Sequence, residues 1–331
     1  MKKSLVALAV LATAGTAFAQ SSVTLSGSYA FGFASDKNST FAGNVETAVK
    51  GSGFGTDTAG FKMAAVEDLG GGLKLAASIS AGGAARGGSL GGEDAQMAIS
   101  GGFGRVTMGT VESGNGIRPR ASAGAPVLNL EGEVFSPASN IDFIAYQSNS
   151  FSGLSFGASY VDRGAAGSGV GLGAGTTGAA DNQPSLTANV TYANGPIDAR
   201  VDATFWTRKK SAEVAGSVLN NRIRASASYD LGVVKLGAGF STLKRVDNLK
   251  GTTEFAAGIS APLGPVTVGA FFANQTTKDT QKKNGFTVGA SYALSKRTSI
   301  SSNIGQWTWK NNAGNKTNSG NHFELLVGHN F

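Results

Sequence analysis

The chain has no cysteine in 331 residues and only two histidines, His322 and His329. The first absence excludes disulfides, a thiol nucleophile and cysteine-based zinc sites. The second leaves little imidazole chemistry, and no nucleophile sits in a pattern with a histidine or carboxylate partner, so an enzyme is not expected. Long apolar runs are missing as well. After Lys2-Lys3 and the run Leu5–Ala12, the longest span four residues, at 63–66, 143–146 and 270–273. A membrane helix needs ~20 mostly apolar residues, so no helical span follows residue 19. Proline is scarce, with 7 residues against 49 glycines, and the glycines are spread through the chain rather than gathered in a linker. No basic helix or aromatic–basic platform points to nucleic acid. No cofactor or metal is expected.

What is present is an export signal followed by alternation. Lys2-Lys3, the short apolar run and Ala17-Phe18-Ala19 read as a secretory signal over 1–19, which leaves 20–331 as the mature chain. Removing Lys2 and Lys3 lowers the formal charge from +7 to +5. The mature chain alternates with period two. Leu73, Leu75, Ala77 and Ile79 alternate with Lys74, Ala76, Ser78 and Ser80. Ile197, Ala199, Val201, Ala203 and Phe205 alternate with Asp198, Arg200, Asp202, Thr204 and Trp206. Ile223, Ala225, Ala227 and Tyr229 alternate with Arg222, Arg224, Ser226 and Ser228. Phe323, Leu325, Val327, His329 and Phe331 line one face of the last strand. This is strand periodicity. With a mean hydropathy near zero it fits strands that show lipid only at every second residue.

Two kinds of connection take turns. Short ones rich in Gly, Pro, Asn or Asp fall at 67–72, 101–104, 149–153, 193–196, 230–232, 261–265 and 294–297. Longer or more polar ones fall at 36–53, 83–92, 113–139, 164–183, 209–218, 244–250, 277–283 and 310–319. Fifteen connections imply sixteen strands, all antiparallel, many about 10 residues long, the length of a tilted span. The expected fold is all-β: a transmembrane barrel with both termini on the short-turn side, so that the last strand closes on the first.

Phe61 to Lys74, Ile99 to Gly109, Ala227 to Gly232, Gly289 to Thr298 and the ending Val327-Gly328-His329-Asn330-Phe331 resemble the strands and turns of trimeric Gram-negative general porins. The ending is similar to the β-proteobacterial branch. The resemblance covers the whole mature chain. It implies an outer-membrane homotrimer, passive diffusion of small ions and hydrophilic solutes, and a third loop, 113–139, folded inward to narrow the pore. It also implies that assembly machinery of the outer membrane reads the terminal Phe331. Such relatives often carry arginine where this chain has Thr58 or Ala59, Asp94 and Thr110. That departure implies a modest rather than strong anion preference.

A barrel this wide leaves an aqueous lumen, whose charged lining sets selectivity. The third loop carries Arg118, Arg120, Glu131 and Glu133, with Glu112 before it. Alternation places Lys62, Lys74, Arg105, Arg200, Arg222, Arg224 and Lys235 on the lumen face, with Asp94, Asp198, Asp202 and Glu254. The constriction candidates are Arg118, Arg120, Glu131, Glu133, Arg222, Arg224, Lys62 and Arg200. Each is weighed against a solvated charge in a wide vestibule, which is the plainer reading for Lys74, Arg105 and Lys235 near the short turns. Loop charges such as Arg208–Lys210, Lys244, Arg245, Lys250, Lys278, Lys282, Lys283, Lys310 and Lys316 suggest a field that draws anions, or contacts to lipopolysaccharide phosphates. A substrate-selective channel on the same scaffold is the alternative. Trp206, Trp307 and Trp309 are too few, and too close to the loop ends, for a convincing aromatic track.

Overall fold

The computed structural model describes residues 21–43, 45–85, 90–162, 184–207, 219–245 and 251–331. The expected signal over 1–19, the whole loop at 164–183, and the basic residues Arg208–Lys210 and Lys250 lie outside the described residues.

Sixteen antiparallel strands form one closed barrel, each paired with its sequence neighbours and the last with the first. They are β1 Ser22–Ala42, β2 Val45–Gly70, β3 Leu73–Gly82, β4 Gly91–Gly101, β5 Gly104–Ser113, β6 Ser139–Gln147, β7 Leu154–Asp162 and β8 Ser185–Asn194. The second half comprises β9 Ile197–Trp206, β10 Leu219–Asp230, β11 Lys235–Arg245, β12 Thr252–Leu263, β13 Val266–Thr277, β14 Gln281–Ala293, β15 Thr298–Asn311 and β16 Lys316–Asn330. One short helix, α1 Arg118–Ala121, lies in the third loop. Closure removes both sheet edges, so every strand finds its ladder partners without water.

The expected alternation faces the expected way. On β16, Phe323, Leu325 and Val327 are exposed on the outer face, while His322, Glu324 and Leu326 turn inward. Tyr160, Phe205, Tyr229, Phe240, Tyr292 and Phe331 are all exposed on that outer surface, as membrane-interface aromatics are. The seam is closed at its lower end by Phe331. Its N–H donates to the Gly27 carbonyl and its carbonyl accepts from the Gly27 N–H, both at 3.0 Å.

Three of the longer connections differ from the sequence expectation. The loop expected at 36–53 is a strand hairpin that turns at Gly43, so β1 and β2 reach 21 and 26 residues. The polar residues there pair across the strands instead of looping. Lys37 Nζ meets Glu46 Oε1 at 2.8 Å, and Ser39 Oγ donates to the same oxygen at 2.7 Å. The connections expected at 277–283 and 310–319 shrink to 278–280 and 312–315, because Lys282, Lys283, Lys310 and Lys316 continue their strands.

The apolar core lies inside the barrel. Ile117, Ala121, Leu130, Val134 and Phe135 of the third loop pack with Ala256, Phe271, Ala273 and Trp307 of β12, β13 and β15. Complete burial of a side chain such as Phe135 or Ile117 stabilises by roughly 1.5–3 kcal/mol. The loop is therefore pinned to the wall by the same force that folds a soluble domain.

Candidate functional site

The third loop, 114–138, runs across the inner wall from β10 to β15 on a track of missing side chains. Lumen-facing Gly237, Gly239, Gly258, Gly269, Gly285, Gly289 and Gly305 each lie so close to loop atoms that an added Cβ would sit under 3.0 Å from one of them. Ile117 rests over Gly239, Ala125 over Gly269, and Leu130 with Val134 over Gly285. Ser260 Oγ donates to the Ala123 carbonyl at 2.6 Å, and Trp309 Nε1 donates to the Glu133 carbonyl. Ala123 and Leu130 both have φ near +55°. Such strain costs roughly 1–3 kcal/mol per residue and persists only where the surroundings over-determine the backbone.

Five of the candidate basic residues gather beside the start of this loop. Arg224 Nε donates to Asp202 Oδ2 at 2.8 Å, and Arg200 Nε lies 3.4 Å from Asp202 Oδ1. Asp202 is only 3% exposed and serves as the shared acceptor. Its place opposite Arg224 follows from the β9–β10 register. Arg120 reaches from α1 to Asp198 Oδ1 at 2.7 Å. Arg222 lies over the Trp206 ring, 5.3 Å from its centroid. Arg118 is half-buried in the loop, and that burial lowers its pKa against the opposing pull of Glu131.

The two candidate glutamates do different things. Glu131 ties the neck of the loop, where its Oε1 accepts from the Asn115 N–H at 2.9 Å. Glu133 sits by the wall near Lys283, and burial raises its carboxyl above the ordinary carboxylate range, with nearby Asp36 and Glu131 adding to the effect and His322 opposing it. Lys283 stacks on Trp309 at 4.0 Å.

Lys62 departs from its expected place at the constriction. It lies across the lumen from the third loop, in a cleft with Ser26, Ser28, Asp57, Thr58, Ser80 and Glu93. The wall there is serine-rich, and the third loop does not pack on it. Lys74 and Arg105 line the short-turn end, as expected. Lys235 is on the inward row of β11 and Glu254 on that of β12, where it accepts from Gln275 Nε2 at 3.0 Å. Asp94 accepts from the Glu112 N–H at 2.8 Å. Thr110 is not on the pore wall. The register sets it opposite Ala95 and Asp142 on the outward row, where it donates to Asp142.

Sequence reasoning missed two features. One is the glycine track, whose partners lie more than a hundred residues away. The other is a lumen network around a histidine. His322 Nδ1 lies 2.6 Å from Asp36 Oδ1 and its Nε2 3.1 Å from Glu324 Oε2, while Asn303 Nδ2 donates to Glu324 Oε1 at 2.8 Å. Alternation already put His322 and Glu324 on one face, but the β1–β16 register was needed to bring in Asp36. No metal-binding group of His, Asp and Glu occurs among the described residues.

A family model described as Gram-negative porin matches residues 4–312. Outer membrane porin protein 32 of Delftia acidovorans is 30% identical over 345 residues, covering 92% of this chain and 89% of that protein. Among solved structures, the anion-selective porin from Comamonas acidovorans superposes with a TM-score of 0.65 at 22% identity, over 94% of this chain and all of the other. The outer membrane channel DcaP of Acinetobacter baumannii gives 0.66 at 12% identity, over 94% of this chain and 97% of the other.

Proposed function

The chain belongs to the Gram-negative porin family, a family of outer-membrane channels rather than enzymes, and on that premise we propose that it is a passive diffusion channel for small hydrophilic solutes with a modest anion preference. The observation that carries this is the group of Arg118, Arg120, Arg200, Arg222 and Arg224, met among the described residues by the wall carboxylates Asp198 and Asp202, with Glu254 lining the same cleft as Arg222. The excess is basic but partly neutralised. Glu131 and Glu133 reduce it further. Exposed charges are screened over ~10 Å at 0.1 M ionic strength, and charges in a narrow passage less so. The test is the reversal potential of the reconstituted protein in KCl gradients at low and high salt. Chloride preference that weakens as salt rises is the expected result, and a cation-selective channel overturns the reading.

The same proposal includes a homotrimer, a signal peptide over 1–19 that is removed on export, recognition of the terminal strand by the barrel assembly machinery, and lipopolysaccharide at basic residues of the long-loop end. A substrate-selective channel is the second reading. A cleft of about 670 Å³ above the third loop favours it, since Arg222, Trp206, Lys283 and Gln275 converge there. Conductance that saturates with one organic anion, and not with chloride, would decide for it.

A further inference from the structure

The lysines of the long-loop end divide between the two faces of the wall. Lys283 points into the lumen, against Trp309. Lys282, its neighbour, points outward. It is directly opposite Lys310, which is in turn opposite Lys316. Three lysines thus form one row across β14, β15 and β16, and all three are exposed. Like charges directly opposite on a sheet destabilise it, so the row calls for a counter-charge. Among the described residues none of the three has a carboxylate within ion-pair distance. Glu46, whose charge Lys316 feels from beyond ion-pair distance, is held by Lys37 and Ser39. Lys316 is further positioned over the Phe41 ring at 4.8 Å.

What lies below the row identifies the counter-charge. A polar rung follows first, with Asn274 Nδ2 donating to Asn284 Oδ1 at 2.8 Å beside Thr308. Then comes the lipid-facing band: Phe286, Val288 and Ile304, all exposed. Lys282 is four residues above Phe286 on the same face, about 13 Å along the strand. A ligand that fits carries phosphate at the height of the lysines and hydrocarbon below. A free anion gains nothing from the band. Long loops face the cell exterior in such barrels, so the ligand belongs to the outer leaflet.

We propose that Lys282, Lys310 and Lys316 form a binding site on the outer wall for the phosphate groups of an outer-leaflet glycolipid. The site deepens the lipopolysaccharide contact of the preceding reading and rests on it. Ammonium groups hold phosphate by charge-assisted hydrogen bonds, and the row spreads them over the width of three strands.

The experiment uses the full-length protein in mild detergent, titrated with bisphosphorylated lipid A and, separately, with its dephosphorylated form. Binding is read by native mass spectrometry. Expected is binding of the phosphorylated form alone, weakened by about tenfold or more in the triple variant Lys282→Gln/Lys310→Gln/Lys316→Gln. The matching triple arginine variant should retain it. Single-channel conductance at 1 M salt should match wild type in both, which separates loss of the site from loss of the fold. Lys283→Gln should leave lipid binding intact. Equal binding by the glutamine variant overturns this site while leaving lipid contact elsewhere standing. Failure of wild type to bind phosphorylated lipid A overturns both. Displacement of the lipid by millimolar inorganic phosphate would show an anion site without lipid recognition, and would overturn the proposal too.

Discussion

Asp202 sets how much of the arginine charge reaches the passage. It is buried to 3% exposure and holds Arg224 and Arg200 together. Asp202→Asn leaves two guanidinium groups without their shared partner. Removing one member of a buried pair typically costs about 3–5 kcal/mol, so the barrel should unfold at a lower temperature in a heat-modifiability assay. Its reversal potential should shift toward stronger chloride preference, and an unchanged potential would mean that the wall charges do not control selectivity. Glu133 offers a test by pH. Its carboxyl is raised by burial, so on acidification it takes up a proton earlier than an ordinary carboxylate. The passage then loses a negative charge, and anion preference should rise as pH falls toward, but not yet into, the ordinary carboxylate range. Glu133→Gln should show the higher preference throughout and lose that early step.

At the scale of the element, the third loop and its seat are one unit. Gly285→Leu places a side chain where Leu130 and Val134 now rest. The loop should be driven toward the lumen axis, with lower and noisier single-channel conductance. Gly51→Leu is the control, because nothing lies within 4 Å of its missing Cβ. Equal conductance in the two variants would show that the loop does not depend on this seat. The strands were legible in the sequence because lipid on one face and water on the other force a period of two. The lumen rows of β9 and β10, and the pairing they imply for Asp202, follow from that alternation. The seat was not legible. A glycine in an alternating strand reads only as a small residue, and its partner in the loop is set by how the closed barrel folds its chain inward. The hairpin at 36–53 failed for a related reason. Its lysines, serines and glycines look like a loop until the side chains of Lys37 and Glu46 are known to meet across it.

For the whole molecule, closure is the decisive event. It joins the first and last strands, 13 residue pairs from Ser28–Asn330 to Thr40–Asn318, and ends on the two hydrogen bonds between Gly27 and Phe331. Deleting Phe331 removes those bonds and an exposed aromatic at the membrane edge. Membrane levels of the truncated protein should fall sharply, while any barrels that do assemble should conduct like wild type, since the ring is on the outer side. Normal levels would show that neither the seam nor recognition of the end requires it.

The third loop has a mechanical consequence as well. It crosses β11 to β15 obliquely and bonds to the wall at Ser260 and Trp309. A hollow cylinder under sideways load flattens first where nothing spans it. Here the loop acts as a diagonal brace on one half of the wall, while among the described residues nothing comparable spans the serine-lined half around Lys62. Lateral pressure from the bilayer would therefore deform the two halves unequally. The unbraced half would yield, and the arginine-bearing aperture would hold its shape.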